Sequence, residues 1–145
     1  MALSPEHQIA VMIKTKWDAT SALATSVPGG VRWDLMKQPA DGSAISEPYC
    51  VFEITEGRSP GHCTGEGTIT YRNVKFMVFG PEELACTGAG DIRAAFHRAA
   101  LSAPSGGTFM HCLETQGRAQ IPMWARESRM VWQAEWSCEI AVCLS

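Results

Sequence analysis

His62-Cys63 and His111-Cys112 are two adjacent pairs of soft ligands, and together they would offer the two nitrogens and two sulfurs of a tetrahedral zinc site. Their spacing works against that chemistry. Neighbouring residues on a strand point to opposite faces, so His111 and Cys112 do not converge on one ion, and no Cys-x-x-Cys knuckle is present. Buried cysteine and partly exposed histidine is the plainer reading. A Cys nucleophile with a His base needs a thiol whose pKa is lowered in an accessible, electropositive setting, and no local sequence supplies one. Gly88-Ala89-Gly90 lacks the third glycine of a dinucleotide loop. The serines from Ser102 to Ser105 and Ser128 lack a Gly-x-Ser-x-Gly elbow. Glu82-Glu83 suits the positive end of a helix better than an acid/base pair, because adjacent helical residues diverge. These residues make no catalytic centre and call for no metal or cofactor.

Two other sets point to contact with proteins. Ile121, Met123 and Trp124 are apolar residues flanked by Arg118 and Arg126, an anchor ringed by charge as at many protein interfaces. Folding of the same segment back on its own core is the competing reading. Arg129, Gln133, Glu135 and Glu139 form the polar parity of the last strand, which would face solvent, a neighbouring subunit or a lumen.

The elements that must position these groups follow from periodicity and turn chemistry. Ser4-Pro5-Glu6 starts a helix expected from about Pro5 to Ala22, with Ile9, Met12, Ile13 and Trp17 on one face. Val27-Pro28-Gly29-Gly30 ends it, Val31 to Leu35 reads as a short extended piece, and a loop leads to Pro48. Tyr49 to Glu56 is a strand and Gly57 to Gly67 a loop. In Thr68 to Phe79, Ile69 and Tyr71 hold one parity while Val74, Phe76 and Val78 hold the other, which predicts a β-bulge near Arg72 or Asn73. Gly80-Pro81-Glu82-Glu83 is expected to start a second helix, in which Ala85, Ala89, Ile92, Phe96 and Ala99 keep a spacing near 3.5, with Asp91 to Leu101 as its main portion and Gly88 and Gly90 as the places where it would break. Thr108 to Thr115 is a strand, followed by a loop from Gly117 to Glu127.

The final strand, Met130 to Val142, carries the clearest signal. Met130, Trp132, Ala134, Trp136, Cys138, Ile140 and Val142 share one parity, and a slip of one residue would expose both tryptophans. Ile92, Phe96 and Ala99 are expected to pack over Trp132 and Trp136. The fold class is α+β: a mostly antiparallel sheet of about four to five strands, with an N-terminal helix and the second helix on one face.

Composition sets the outer limits. The 145 residues, 46% of them hydrophobic, suit one domain over 1–145. A formal charge of −3 gives no attraction to nucleic acid, so contact with DNA should be loose and non-specific. No apolar run approaches the roughly 18 to 20 residues of a membrane span, and the N-terminus lacks a basic start followed by an apolar stretch. A soluble protein made in the cytoplasm is expected. The six cysteines are expected to be mostly reduced and buried, and Cys138 and Cys143, five apart, lie on opposite strand faces and do not pair with each other.

The order of these elements resembles the tail-completion family of tailed bacteriophages and prophages, which includes tail terminators and tail-to-head joining proteins. The resemblance rests on the N-terminal helix, Pro48-Tyr49-Cys50-Val51, Gly67-Thr-Ile-Thr-Tyr-Arg-Asn-Val-Lys-Phe-Met-Val-Phe79, Asp91-Ile-Arg-Ala-Ala-Phe-His-Arg-Ala-Ala-Leu101 and the final strand. It implies a structural subunit of the virion tail or neck, assembled in the host cytoplasm into a ring, usually a hexamer. Its partners would be other copies, the tail-tube protein and the head-completion or connector protein, with DNA passing through the lumen. Glu135 and Glu139 would then make an acidic lumen over which DNA slides. The alternatives are another ring-forming neck or tail-tube subunit, a small Cys/His-based enzyme or ligand-binding domain, and a dimeric binding module.

Overall fold

Ser4, Pro5 and Glu6 open the first helix through their own chemistry. The Ser4 hydroxyl accepts from the His7 amide at 3.2 Å, Pro5 needs no amide partner in the first turn, and Glu6 lies at the positive end of the dipole. In the computed structural model, which describes residues 4–33, 46–62, 67–104, 107–126 and 129–144, this helix, α1, spans Pro5–Ala19. It stops short of Ala22 because Thr20 turns extended, and the Thr20 hydroxyl donates to the Lys16 carbonyl at 2.7 Å. A short α2, Ser21–Ser26, follows and buries Leu23.

The chain continues through β1 (Val31–Trp33), β2 (Tyr49–Glu56), β3 (Gly61–His62), β4 (Thr68–Gly80), α3 (Glu82–Phe96), β5 (Gly107–Arg126) and β6 (Arg129–Leu144). The strands form one six-stranded sheet in the order β1-β2-β4-β6-β5, with β3 pairing β4 beyond the end of β2. The β1–β2 pair is parallel and the other described pairings are antiparallel. This is the expected α+β class. No helix among the described residues is long and apolar enough to cross a membrane.

The helices close one face of the sheet. Ile9, Met12, Ile13 and Trp17 of α1 and Ala85, Ala89, Ile92 and Phe96 of α3 meet Phe52, Val74, Phe76, Val78, Trp136 and Ile140 in a single core. Phe76 is its hub, with ring centroids 5.1 Å from Phe96 and 5.9 Å from Trp136. Of the two tryptophans expected beneath α3, Trp136 is fully buried there, whereas Trp132 near the start of β6 is only half-buried. Each fully buried large apolar side chain contributes roughly 1.5–3 kcal/mol. The partly exposed Glu6–Arg72 ion pair across the core's rim contributes at most about 1 kcal/mol, so packing sets the stability.

Three sequence expectations are corrected here. β4 pairs with β6 in unbroken register from Thr68↔Leu144 to Gly80↔Trp132, so no bulge interrupts it at Arg72 or Asn73. The parity does not flip: Arg72 takes the core-side position and reaches Glu6 at 2.7 Å, while Ile69 and Tyr71 face the side that carries no helix. Second, α3 is continuous from Glu82 to Phe96 and ends before Leu101. A Cβ on Gly88 would stand 3.0 Å from Val27 and 3.1 Å from Val78, so this glycine lets α3 lie close on α2 and β4 and keeps its place mid-helix. Third, β5 runs on to Arg126, where a loop from Gly117 is expected. Register shifts fall between Phe109 and His111, Glu114 and Gln116, Gln116 and Ala119, and Pro122 and Trp124. Each extra residue reverses the parity, which erases the alternation a strand would show. β5 is an edge strand, so Gly117 and Pro122 are tolerated in it.

The residues after α3 have their own task. Arg98, in the left-handed region at φ 59°, donates its amide to the Cys112 carbonyl at 2.8 Å, and His97 Nδ1 accepts from the Glu114 amide at 3.1 Å. They occupy the outward edge of β5 along that stretch.

Two stability predictions follow from these contacts. A Cβ on Gly29 would fall 2.1 Å from the Ser46 carbonyl oxygen and 2.9 Å from that of Pro48, both backbone atoms, whereas one on Gly61 meets Tyr71 at an ordinary 3.4 Å. Gly29→Ala should therefore lose about 1–3 kcal/mol in urea unfolding and Gly61→Ala less than about 0.5 kcal/mol. The hydrogen bond from Arg72 holds the Glu6 carboxyl below its ordinary value of 4.5 against the opposing effect of burial. A depressed folded pKa gives stability that is complete above the ordinary value and is lost as pH falls through the folded one. Glu6→Gln should flatten the loss of melting temperature below pH 4.5 and leave the slope near neutrality unchanged.

Candidate functional site

The face of the sheet that carries no helix collects the polar side chains that the register brings into rows. Glu53, Lys75, Ser137 and Gln116 lie side by side across β2, β4, β6 and β5, and Thr55, Asn73, Glu139 and Leu113 form the next row. The first row and its neighbours line a groove of ≈ 470 Å³ whose other walls include Thr55, Asn73 and Thr115. Lys75 Nζ stands 3.7 Å from Glu53 Oε1, so the one cation and one anion in the groove offset each other. Asn73 donates its side-chain amide to the Glu56 carbonyl at 3.2 Å.

Beside the groove, four side chains form a closed polar cluster. Glu139 Oε1 accepts from Arg58 Nη2 at 2.9 Å and pairs with His111 Nε2 at 2.8 Å. The Arg58 guanidinium lies 4.1 Å above the Tyr71 ring, whose centroid is 6.1 Å from that of His111. Arg58 thereby clamps the segment between β2 and β3 to the sheet. On the helix side, Glu114 Oε2 accepts from the buried Trp136 indole at 2.9 Å and from Arg93 Nε. These bonds, Trp136's first, hold the Glu114 carboxyl below its ordinary range.

His111 and Cys112 turn to opposite faces: His111 meets Glu139, and Cys112 is buried in the core. Among the described residues, no group of three or more His, Cys, Asp and Glu is placed to hold a metal ion. The side chain of His62, and Cys63 altogether, lie outside the described residues. Cys50, Cys86, Cys112 and Cys138 are free thiols, whereas Cys143 is disulfide-bonded, which departs from the reduced default. Burial pushes the Cys50 thiol up, and contact with Cys112 followed by burial does the same for Cys138. Raised thiol pKa values oppose nucleophilic use.

The expected contact residues divide. Arg118, Ile121, Met123, Trp124 and Arg126 belong to β5 by their backbone, and their side chains, like that of Arg129, lie outside the described residues. Gln133 is buried and donates to Glu135, Ser137 is buried, and Glu139 is held in its cluster. The polar parity of β6 is thus more enclosed than a solvent face. Sequence reasoning passed over Arg58, Tyr71, Lys75 and Glu53, which come together only through pairing. Glu114 was detectable in principle, since a buried tryptophan N–H needs an acceptor.

No protein-family model and no curated protein matches the sequence. Among solved structures, the chain is similar to a chain described as "Virion of native gene transfer agent (GTA) particle". The TM-score is 0.72 at 12% identity, over 98% of this chain and 99% of that one. The two share a fold along their whole length.

Removing the shared acceptor should loosen the cluster. Glu139→Ala leaves Arg58 and His111 without their carboxylate and is expected to cost about 1–2 kcal/mol in urea unfolding, part of the pair being screened by solvent. Faster hydrogen exchange should be confined to the segment around Arg58.

Proposed function

We propose that this chain is a virion structural subunit of the tail-completion type. It closes into a ring, a hexamer in the usual case, at the head-proximal end of a tail. It meets the tail-tube protein on one side and the head-completion or connector protein on the other, and DNA passes through the lumen without specific contact. Assembly takes place in the host cytoplasm and the ring ends in the tail or neck.

The observation that carries this reading is the end-to-end likeness to a chain of a gene transfer agent virion. The character of the helix-free face supports it. Its Lys75–Glu53 pair and its Arg58–Glu139–His111 cluster are bonded internally, and the described free thiols with shifted pKa values are shifted away from reactivity. Closed rings need two different patches that fit each other. Exposed Trp33 lies on the β1 edge of the sheet, and exposed Met110 and Leu113 lie on the β5 edge. Because Glu139 is paired with Arg58 and bonded to His111, and Gln133 is buried, their face is read as an interface and not as a free acidic wall.

Mass photometry and negative-stain microscopy of the purified protein, alone and with its tail-tube partner, test the reading. Rings that cap tail tubes are expected, and Trp33→Glu should shift the mass toward the monomer with an unchanged circular dichroism spectrum. A stable monomer that never joins tails would overturn it.

A further inference from the structure

A second hollow, of ≈ 270 Å³, lies where the segment after α3 meets β5, and its lining includes Arg98, Ala99, Ala100, Phe109, Met110 and Leu113. The lining is mostly apolar and holds no carboxylate, and Met110 and Leu113 are exposed at 46% and 39%. A cavity of about 150 Å³ holds one benzene ring, so this one has room for the two fused rings of an indole. Arg98, an exposed residue, is the one formal cation in the lining, and a guanidinium is attracted to an indole face. The Met110 thioether adds a favourable partner for an aromatic ring edge. Size and chemistry together select a large aromatic side chain.

The same chain presents such a side chain at its other flank. Trp33 is the one exposed aromatic residue among the described residues, and it lies on β1, at the opposite end of the strand order from β5. Its ring stacks on Phe52 at 6.3 Å with the planes 3° apart, so it has little freedom left to lose on docking. β1 and β5 stand four strand spacings apart, about 19 Å, and a chain's own Trp33 does not reach its own hollow. Of the five exposed large hydrophobics among the described residues, Trp33, Met110 and Leu113 belong to this knob and this hole, which leaves only Val11 and Leu84 elsewhere. Two unlike patches that fit each other on opposite flanks make a heterologous contact, able to repeat from copy to copy.

We infer that Trp33 of one copy fills the hollow between β5 and the Arg98–Ala100 segment of the next copy. The inference rests on the ring reading above and names the contact that would close the ring.

Sedimentation velocity of the purified full chain and two variants, over a concentration series, tests it. Trp33→Ala removes the knob and keeps the hole, whereas Met110→Glu keeps the knob and puts a charge in the hole. Both positions are exposed, so the circular dichroism spectra should match that of the unaltered protein. Trp33→Ala alone should associate about thirtyfold more weakly, the effect of losing a central interface tryptophan, and Met110→Glu by a similar factor. An equimolar mixture of the two should give dimers and nothing larger, because only one intact knob and one intact hole can meet. Rings that persist in either variant, or a mixture that stays monomeric where the unaltered protein forms rings, would overturn the contact and leave the virion reading standing. An unaltered chain that is monomeric alone yet joins tails would do the same. A monomer that never joins tails would overturn the ring reading and this contact with it.

Discussion

The unbroken ladder between β4 and β6, from Thr68↔Leu144 to Gly80↔Trp132, is the constraint on which the other parts depend. These two strands occupy the middle of the sheet, so a slip of one residue would carry Val74, Phe76, Val78, Trp136, Cys138 and Ile140 out of the core together. The cost would be several fully buried side chains at roughly 1.5–3 kcal/mol each, comparable to the whole stability of a typical domain. The same register that buries one face composes the other. Lys75 stands beside Ser137, and Asn73 beside Glu139, because Phe76 stands beside Trp136.

Much of this was legible in the residue order. β2 came out with its bounds, and the parity of β6 marked the buried side through Trp136 and Ile140. Signals failed where one interaction masked another. The apparent parity change in β4 came from Tyr71 and Ile69, apolar residues on the helix-free face, where Tyr71 is covered by Arg58. The second half of β5 was unreadable because successive bulges reverse the alternation, with a glycine and a proline adding the look of a loop. Gly88 read as a helix break because helix propensity takes no account of how closely Val27 and Val78 approach.

The groove was illegible for a different reason. Glu53, Lys75, Gln116 and Ser137 are far apart in the chain and ordinary in type, and only the pairing of four strands makes them neighbours. The Arg58 cluster has the same origin, with one partner from the β2–β3 connection and the others from β4, β5 and β6. In such a sheet the make-up of a site resides in the relation between strands more than in any local motif. Likeness in fold to a solved chain at 12% identity is consistent with that, since register can persist while residue types drift.

The segment just past α3 carries one more consequence. By bonding to Cys112 and Glu114, Arg98 and His97 occupy backbone groups that would otherwise be an open template for a foreign strand. A second chain is thereby kept from adding a strand to β5 at Cys112 and Glu114. The segment past α3 thus leaves contact along that stretch to side chains, which discriminate one neighbour from another better than bare backbone does.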